Sequence, residues 1–264
     1  MTPEGSVSFD RAAAFYDATR AIPPETLDAV CGALDAEVPD GRCLEIGVGT
    51  GRIAIPMASR GRVVVGVDIS EQMLAKLREK DHRNIDVAAA DATNLPFGDD
   101  AFAGAYAVHV LHLIADWKHA ACELARVVRP GGKLVFDIGN ADPNRPGAWV
   151  GIAREIELRF IAETGIERRH PGITDIGELD GLLAEYGAVA RDLEPIRGFR
   201  PVAPSVIIDL IEHGVFSFTW SLDEDTRRRG AQAVRTWAAD RFGDLAQPRD
   251  LESVIAFRAY ALPA

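Results

Sequence analysis

Three glycines alternate at Gly47, Gly49 and Gly51 within residues 44–52, which read LEIGVGTGR. A glycine-rich turn between a buried strand and a helix lets a ligand approach the backbone closely. The N-terminus of that helix also offers free N–H groups to an anionic part of the ligand. The spacing therefore predicts a small-molecule site in this turn, which also includes Thr50.

The residues around these glycines discriminate between nucleotide ligands. A dinucleotide fingerprint has its last glycine where this chain has Arg52, and the Gly-Lys-Ser/Thr sequence of a phosphate loop does not occur. Glu45 would repel a phosphate about 5 Å away by roughly 3 kcal/mol at an effective dielectric near 20. S-adenosylmethionine has an ammonium, a sulfonium and a single carboxylate, so the residues favour it over a diphosphate.

Two more acids follow predicted strands. Asp68 ends the apolar run 63–67, and a carboxylate there can accept both hydroxyls of a ribose. Asp91 follows the next strand, where an acid can accept from an adenine amino group. Each acid also has a structural interpretation, Asp68 as a helix cap and Asp91 as the start of a turn. Their positions at successive strand ends favour ligand binding.

Short apolar runs alternate with amphipathic stretches, which predicts parallel strands, right-handed crossovers and a doubly wound α/β sheet. The predicted strands are 44–46, 63–67, 85–89, 103–108, 133–136, 188–196 and 253–261. The predicted helices are 51–60, 71–79, 115–128, 149–164, 176–186, 204–213 and 222–242. The helical block between the last two strands is interpreted as an insertion, because neighbouring strands are usually joined by about 2 to 6 residues.

Composition narrows the class of partner. The chain has 264 residues, 47% of them hydrophobic, and a net charge of −11, which disfavours nucleic acid and anionic membrane surfaces. No run is long and apolar enough for a membrane span, and the N-terminus does not resemble a secretory signal. The three cysteines show no metal or disulfide spacing, so we expect reduced thiols, a cytoplasmic protein and a small-molecule partner.

Five segments resemble one family: LEIGVGTGR, VVVGVDISEQML, AADATNLPF, VLHLIADW and RVVRPGGKLVF, in that order. They are similar to class I S-adenosylmethionine-dependent methyltransferases of the ubiquinone/menaquinone-biosynthesis, small-molecule branch. The resemblance covers about residues 9–139 and implies a Rossmann-like, seven-stranded sheet whose last strand is antiparallel. We expect one domain over 1–264, with a cofactor-binding core at about 35–139. The elements expected to form a lid over the acceptor are about 1–25, 140–173 and 198–250.

The resemblance also implies roles for individual residues. The three glycines approach the amino acid part of S-adenosylmethionine, and Glu45 lies close beneath it. The other implied contacts are Asp68 with the ribose, Ile69 and Met73 with the adenine face, Asp91 and Ala92 with the adenine edge, Val108 near the methionine part, and Tyr16 and Arg20 folding over the cofactor. Tyr16 is alternatively a core residue of an amphipathic helix.

Methyl transfer from a sulfonium needs alignment of the reacting atoms, and it needs a base only if the acceptor must lose a proton. The candidates for such a base are His109 and His112, which follow the fourth predicted strand; a structural role is the alternative for both. No cluster has the spacing of a metal site.

The alternatives to a methyltransferase are a protein of this fold that only binds the cofactor, a nicotinamide oxidoreductase, and an RNA methyltransferase. Whether the chain is a monomer or a homodimer stays open.

Overall fold

The computed structural model describes residues 5–80, 83–139, 150–167 and 170–264. Its strands are β1 (Arg42–Ile46), β2 (Val63–Asp68), β3 (Ile85–Ala89), β4 (Phe102–Ala107), β5 (Val128–Asp137), β6 (Val189–Asp192), β7 (Ile196–Val202), β8 (Arg249–Ile255) and β9 (Phe257–Ala261). Its α-helices are α1 (Tyr16–Arg20), α2 (Pro24–Glu37), α3 (Ala54–Ser59), α4 (Glu71–Arg78), α5 (Trp117–Val127), α6 (Gly151–Thr164), α7 (Ile176–Ala184), α8 (Pro204–Glu212) and α9 (Glu224–Phe242).

Seven strands form one sheet in the order β3-β2-β1-β4-β5-β9-β6. The first five strands pair in parallel, and β9 pairs antiparallel with both β5 and β6. The predicted seven-stranded sheet with an antiparallel last strand is therefore confirmed. The order reverses between β1 and β4, and ligands of such sheets bind outside the carboxyl ends of the strands at this switch point.

Helices cover both faces of this sheet because successive residues of its strands point to opposite sides. Cys43 and Val64 belong to an apolar cluster that includes residues of α2, α3 and α4. Leu44 and Val65, their neighbours along the chain, belong to a second cluster with residues of α5 and α7. The central strands are consequently buried on both faces, which explains their nearly continuous apolar sequences.

The chain divides into two compact units. The first contains residues 1–145, 170–196 and 255–264, and it holds the seven-stranded sheet. The second contains residues 146–169 and 197–254, with α6, α8 and α9 packed around a core that includes Ile156, Ile208 and Val234. The sequence predicts one domain with helical insertions, and the second unit falls largely within those insertions. Their role as a lid stays a prediction.

Two predicted strands have the wrong extent. The prediction at 188–196 merges β6 with the start of β7, and the prediction at 253–261 merges the end of β8 with β9. β7 and β8 form a separate two-stranded sheet. Pro195 lies between β6 and β7 and has no N–H for a ladder hydrogen bond, which is consistent with the interruption. The predicted loop at 140–147 lies outside the described residues. In the ranges that the structure describes, no helix is both long and apolar enough to cross a membrane.

Candidate active site

A cavity opens at the carboxyl ends of the parallel strands, at the switch point. It encloses about 890 Å³ of empty space, which includes open solvent at its mouth. Its lining comes from the segments that follow β1, β2, β3 and β4 and from the N-terminal segment. The lining residues are Ser6, Val7, Phe9, Tyr16, Glu45, Gly47, Val48, Gly49, Arg52, Ile53, Val67, Asp68, Ile69, Met73, Ala90, Asp91, Ala92, Val108, His109, Val110, Leu113 and Ile114.

The glycine turn needs glycine for two separate reasons. Gly47 has a φ of +65° and Gly49 a φ of +55°, a left-handed conformation that residues with a side chain rarely adopt. A Cβ atom on Gly47 would also lie 2.3 Å from a methyl carbon of Val110. The turn therefore brings bare backbone to the cavity wall, as close approach of a ligand requires.

Asp68 holds this turn in place. Its Oδ2 accepts from the Gly49 N–H at 2.8 Å, and its Oδ1 accepts from the Ser70 N–H at 2.8 Å. Burial raises the pKa of Asp68, and the two backbone N–H groups oppose that shift. Each carboxylate oxygen keeps a second lone pair, so the side chain can also accept from hydroxyl groups of a ligand in the cavity.

Glu45 is a buried acid with an unsatisfied oxygen. The residue is only 3% exposed, and its Oε2 has no hydrogen-bond partner among the described residues. Burial, joined by the negative charge of Asp68, raises the pKa of Glu45 to about 8, while the Tyr106 hydroxyl and the charge of Arg52 act in the opposite direction. An unsatisfied buried carboxyl in a cavity wall is costly, and a cationic ligand would remove that cost.

This pKa changes the electrostatic argument made from the sequence. The repulsion of a phosphate assumed an ionised Glu45, whereas in the cavity without ligand the carboxyl is mostly protonated at pH 7. The preference between ligands keeps its direction, because a cation favours the ionised form and a diphosphate disfavours it. The roughly 3 kcal/mol estimate is therefore an upper limit.

The segments after β2 and β3 form the next part of the wall. Ile69 and the buried Met73 present apolar surface beside Asp68. Asp91 accepts from the Thr93 N–H at 2.9 Å through Oδ1, the turn that the structural interpretation expects. Asp91 and Ala92 nevertheless both line the cavity, so the turn positions the acid at the wall and the two interpretations are compatible.

The N-terminal segment is attached to the glycine turn by polar contacts. Asp17 accepts from the Thr50 hydroxyl at 2.5 Å and pairs with Lys80 at 2.7 Å. Arg52 donates to the carbonyl of Arg20 at 3.0 Å, and its guanidinium lies 5.6 Å from the centre of the Tyr16 ring. These contacts bring Tyr16 to the cavity wall.

His109 and Asp137 meet at the ends of the neighbouring strands β4 and β5. The His109 backbone N–H donates to Asp137 Oδ2 at 3.2 Å, and the Nδ1 of its ring contacts the same oxygen. The Asp137 side chain is 3% exposed, whereas that of His109 is 24% exposed and lines the cavity. The ring of His112 instead lies 4.7 Å from that of His170, centre to centre, and His112 is not a lining residue.

Comparison with known proteins agrees with this architecture. A family model described as a methyltransferase domain matches residues 44–136. The demethylmenaquinone methyltransferase of Renibacterium salmoninarum is 41% identical over 98 residues, which cover 37% of this chain and 41% of the relative. The 27-O-demethylrifamycin SV methyltransferase of Amycolatopsis mediterranei is 34% identical over 194 residues, or 70% of this chain and 64% of the relative. The chain contains a class I S-adenosylmethionine-dependent methyltransferase domain. The family expected from the five sequence segments is thereby confirmed.

The sequence similarities cover part of each relative, and the similarity to solved structures concerns the fold. The chain spans less than two thirds of the length of these relatives; for the biotin biosynthesis bifunctional protein BioHC of Cellvibrio japonicus, 30% identical over 197 residues, it spans 38%. One solved structure is that of a putative methyltransferase from an antibiotic biosynthesis pathway of Anabaena variabilis. It superposes on this chain with a TM-score of 0.63. It covers 89% of this chain and 97% of the other at 18% identity, which supports the fold of the methyltransferase domain alone.

The sequence-predicted residues of the methyltransferase domain divide into two groups. Those that line the cavity are Tyr16, Glu45, Gly47, Gly49, Asp68, Ile69, Met73, Asp91, Ala92, Val108 and His109. Those that do not are Arg20, Thr50, Gly51 and His112. Thr50 and the Arg20 carbonyl take part in the contacts that attach the N-terminal segment. The roles of all these residues toward a cofactor stay predictions.

Sequence reasoning missed part of the methyltransferase site. Val7 and Ser6 reach the wall because the Val7 N–H donates to the Leu113 carbonyl and the Ser6 hydroxyl accepts from the Ala115 N–H, both at 3.1 Å. No residue-type signal points to these long-range contacts. Asp137 was also missed, although it follows an apolar run as Asp68 does. In the ranges that the structure describes, no group of three or more His, Cys, Asp and Glu is arranged for a metal.

Proposed function

We propose that this chain transfers the methyl group of S-adenosylmethionine to a small-molecule acceptor. The observation on which this proposal rests is the cavity wall at the switch point, where bare glycine backbone lies beside Asp68 and the unsatisfied carboxyl of Glu45. The fit is chemical as well as geometric, because a buried carboxyl with one unsatisfied oxygen favours a cationic ligand.

Each part of the ligand has a matching part of the wall. The Asp68 carboxylate is suited to ribose hydroxyls, Ile69 and Met73 to the faces of the adenine, and Asp91 to its amino group. The Glu45 carboxyl, once ionised, complements the positive end of the ligand. Val108 and Gly47 also line the cavity, and we infer that the methionine portion lies against them.

When bound, S-adenosylmethionine supplies a methyl group on a positively charged sulfur. The protein then holds the acceptor in line and keeps water out. Such orientation supplies several kcal/mol, up to about 7–11 in favourable cases. Phe9 and Tyr16 of the N-terminal segment line the cavity, and Val110 and Ile114 add apolar wall, so the residues are suited to excluding water.

Named relatives do not fix the acceptor. They include a demethylmenaquinone methyltransferase, a phosphatidylethanolamine N-methyltransferase and a rifamycin O-methyltransferase, whose acceptors differ in both size and acceptor atom. A structurally similar protein from Thermotoga maritima, 20% identical in sequence, is described as a possible histamine N-methyltransferase. A general small-molecule activity is therefore the level at which we state the proposal.

The test has two parts. Isothermal titration calorimetry with S-adenosylmethionine, S-adenosylhomocysteine and NAD should show one site for each of the first two and none for NAD. Incubation with methyl-tritiated S-adenosylmethionine and a panel of small alcohols, phenols and amines should then give labelled product. Binding without any labelled product across the panel would favour the alternative of a binding protein without transfer. NAD binding without S-adenosylmethionine binding would favour an oxidoreductase.

A further inference from the structure

The backbone of His109 has an unusual conformation. Its φ is +61°, in the left-handed region, which residues with a side chain seldom adopt. In this conformation both the backbone N–H and the ring Nδ1 of His109 reach Asp137 Oδ2. The Gly139 N–H donates to Oδ1 of the same carboxylate at 3.0 Å. One buried acid therefore fixes the position of the residue and of its ring.

The contact with Asp137 occupies one nitrogen of the His109 ring and leaves the other for a ligand. Because Nδ1 contacts Asp137, Nε2 on the opposite side of the imidazole is the nitrogen available to a ligand. His109 lines the same cavity as Gly47 and Val108, the part of the wall next to the glycine turn. A histidine of a cavity wall whose one nitrogen is held by a buried carboxylate has the arrangement of a general base.

The charges around the ring suit this role. Burial would raise the pKa of Asp137, but the charge and hydrogen bond of His109 and the Gly139 N–H outweigh it, so the pKa is lowered. Asp137 thus stays ionised, and its Oδ2 holds the Nδ1 side of the His109 ring. The other titratable groups nearby are His112, which also acts on Asp137, and Glu45 and Asp68 in the cavity wall.

We propose that His109 Nε2 is the general base that takes the proton from a phenolic hydroxyl of the acceptor, and that Asp137 is the residue that positions this base. The proposal rests on the proposed function and names its acceptor class. Asp137 acts through His109 and is a positioning residue.

The ordinary pKa of an imidazole base limits how weakly acidic the hydroxyl of the acceptor can be. An imidazole has an ordinary pKa near 6.5, a phenol such as tyrosine near 10, and water near 15.7. Proton transfer to imidazole is thus moderately uphill from a phenol and far more uphill from a hydroxyl as weakly acidic as water. The wall beside His109 is apolar, with Val110, Leu113 and Ile114, which suits an aromatic ring.

The bonds and the proton balance without a further reactant. As the phenol O–H bond breaks, its proton moves to Nε2 of His109, the phenolate electron pair forms the new bond to the methyl carbon, and the electron pair of the methyl–sulfur bond stays on sulfur, leaving a neutral thioether. The proton on the imidazolium is then released to water.

The first experiment compares His109→Asn with wild type. Asparagine tolerates the left-handed backbone and keeps the N–H that donates to Asp137, so this variant removes the base with little strain. The matched control is His119→Asn, because His119 forms an exposed pair with Asp116 on α5, with side chains 60% and 66% exposed. The probes are phenol, 4-nitrophenol and aniline with methyl-tritiated S-adenosylmethionine at about pH 7.5, where a phenol with a pKa near 10 is almost entirely protonated.

With phenol, His109→Asn should lower kcat about 100-fold or more, the usual contribution of a general base, and His119→Asn should leave it unchanged. With 4-nitrophenol, which is already mostly ionised at this pH, the two proteins should differ by less than about fivefold. A merely structural role of His109 would slow both probes equally. Equal losses on both probes, a variant as active on phenol as wild type, or methylation of aniline alone would each overturn the proposal.

The second experiment tests Asp137 without turnover. Proton NMR of the protein bound to S-adenosylhomocysteine should show a far-downfield Nδ1–H resonance that is absent in His109→Asn and in Asp137→Asn. Asp137→Asn should also lower kcat on phenol at least tenfold with KM changed less than threefold. A resonance that persists in both variants would contradict the assignment.

Failure of the proposed function has a different signature. If wild type shows no calorimetric binding of S-adenosylmethionine, the proposed function falls and this inference with it. If wild type binds the cofactor and labels aniline but no phenol, the proposed function stands and this inference is overturned.

Discussion

Glu45 gives the sharpest thermodynamic test of the site, through its effect on stability in the absence of ligand. Burial raises the pKa of this carboxyl from an ordinary 4.5 to about 8. The folded chain therefore holds the proton more firmly than the unfolded chain between these two values. The sign follows: the stability that this proton contributes is fully present below pH 4.5 and is lost as the pH rises to about 8.

The magnitude can be worked out from the same pKa. Each pKa unit corresponds to about 1.36 kcal/mol. Between pH 5 and pH 8.5, ionisation of Glu45 should lower the free energy of unfolding of the wild type by about 4 kcal/mol. Glu45→Gln replaces the protonated carboxyl by a neutral group of the same shape, so this variant should not lose that amount. The variant should thus gain stability relative to wild type as the pH rises.

The assay is urea denaturation of the ligand-free proteins, followed by far-ultraviolet circular dichroism at several pH values. Subtracting the two curves cancels the other titrating groups that the proteins share. Glu25→Gln, which removes an exposed carboxylate from α2, is the control for the substitution itself. A difference for Glu45→Gln that stays constant within about 1 kcal/mol across this range would refute the raised pKa.

Three further predictions concern ligand binding and the glycine turn. A cationic ligand should ionise Glu45, so calorimetry at pH 7 in buffers of different ionisation enthalpy should show proton release on S-adenosylmethionine binding; the same heat in every buffer would contradict this. Asp68→Ala should weaken S-adenosylmethionine binding by about 1.5–3 kcal/mol, measured as a dissociation constant, and an unchanged constant would remove Asp68 from the site. Gly47→Ala should destabilise the fold by about 1–3 kcal/mol in denaturation experiments, and adding Val110→Ala should recover only the part due to the clash; full recovery would mean that the positive φ costs nothing.

The alternation of short apolar runs with amphipathic stretches along the sequence was enough to predict the central sheet. β1 and β2 are short apolar runs that end at turn or polar residues, and the residues at these two strand ends lie at the cavity wall, where parallel strands must bring them. The same rule applied to Asp137, which ends the run KLVFD, would have found the partner of His109. The helix α2 was also detectable, since Pro24 stands at its first position.

Other features depend on contacts between distant parts of the chain. The pairing of β7 with β8 joins segments about 50 residues apart, and no local period distinguishes it from an extension of β6 and β9. The pKa of Glu45 depends on how completely the surrounding residues exclude water, which the sequence does not contain. The attachment of the N-terminal segment through Asp17, Thr50 and Lys80 is likewise a product of the folded structure.

The central claim is that the cavity at the switch point binds S-adenosylmethionine. The decisive measurement is calorimetric titration of the ligand-free wild type with S-adenosylmethionine and, separately, with NAD, each repeated on Asp68→Ala. We predict one site for S-adenosylmethionine, a weaker one in the variant, and no heat of binding for NAD. Absence of S-adenosylmethionine binding to the folded wild type, or NAD binding that Asp68→Ala weakens, would contradict the account.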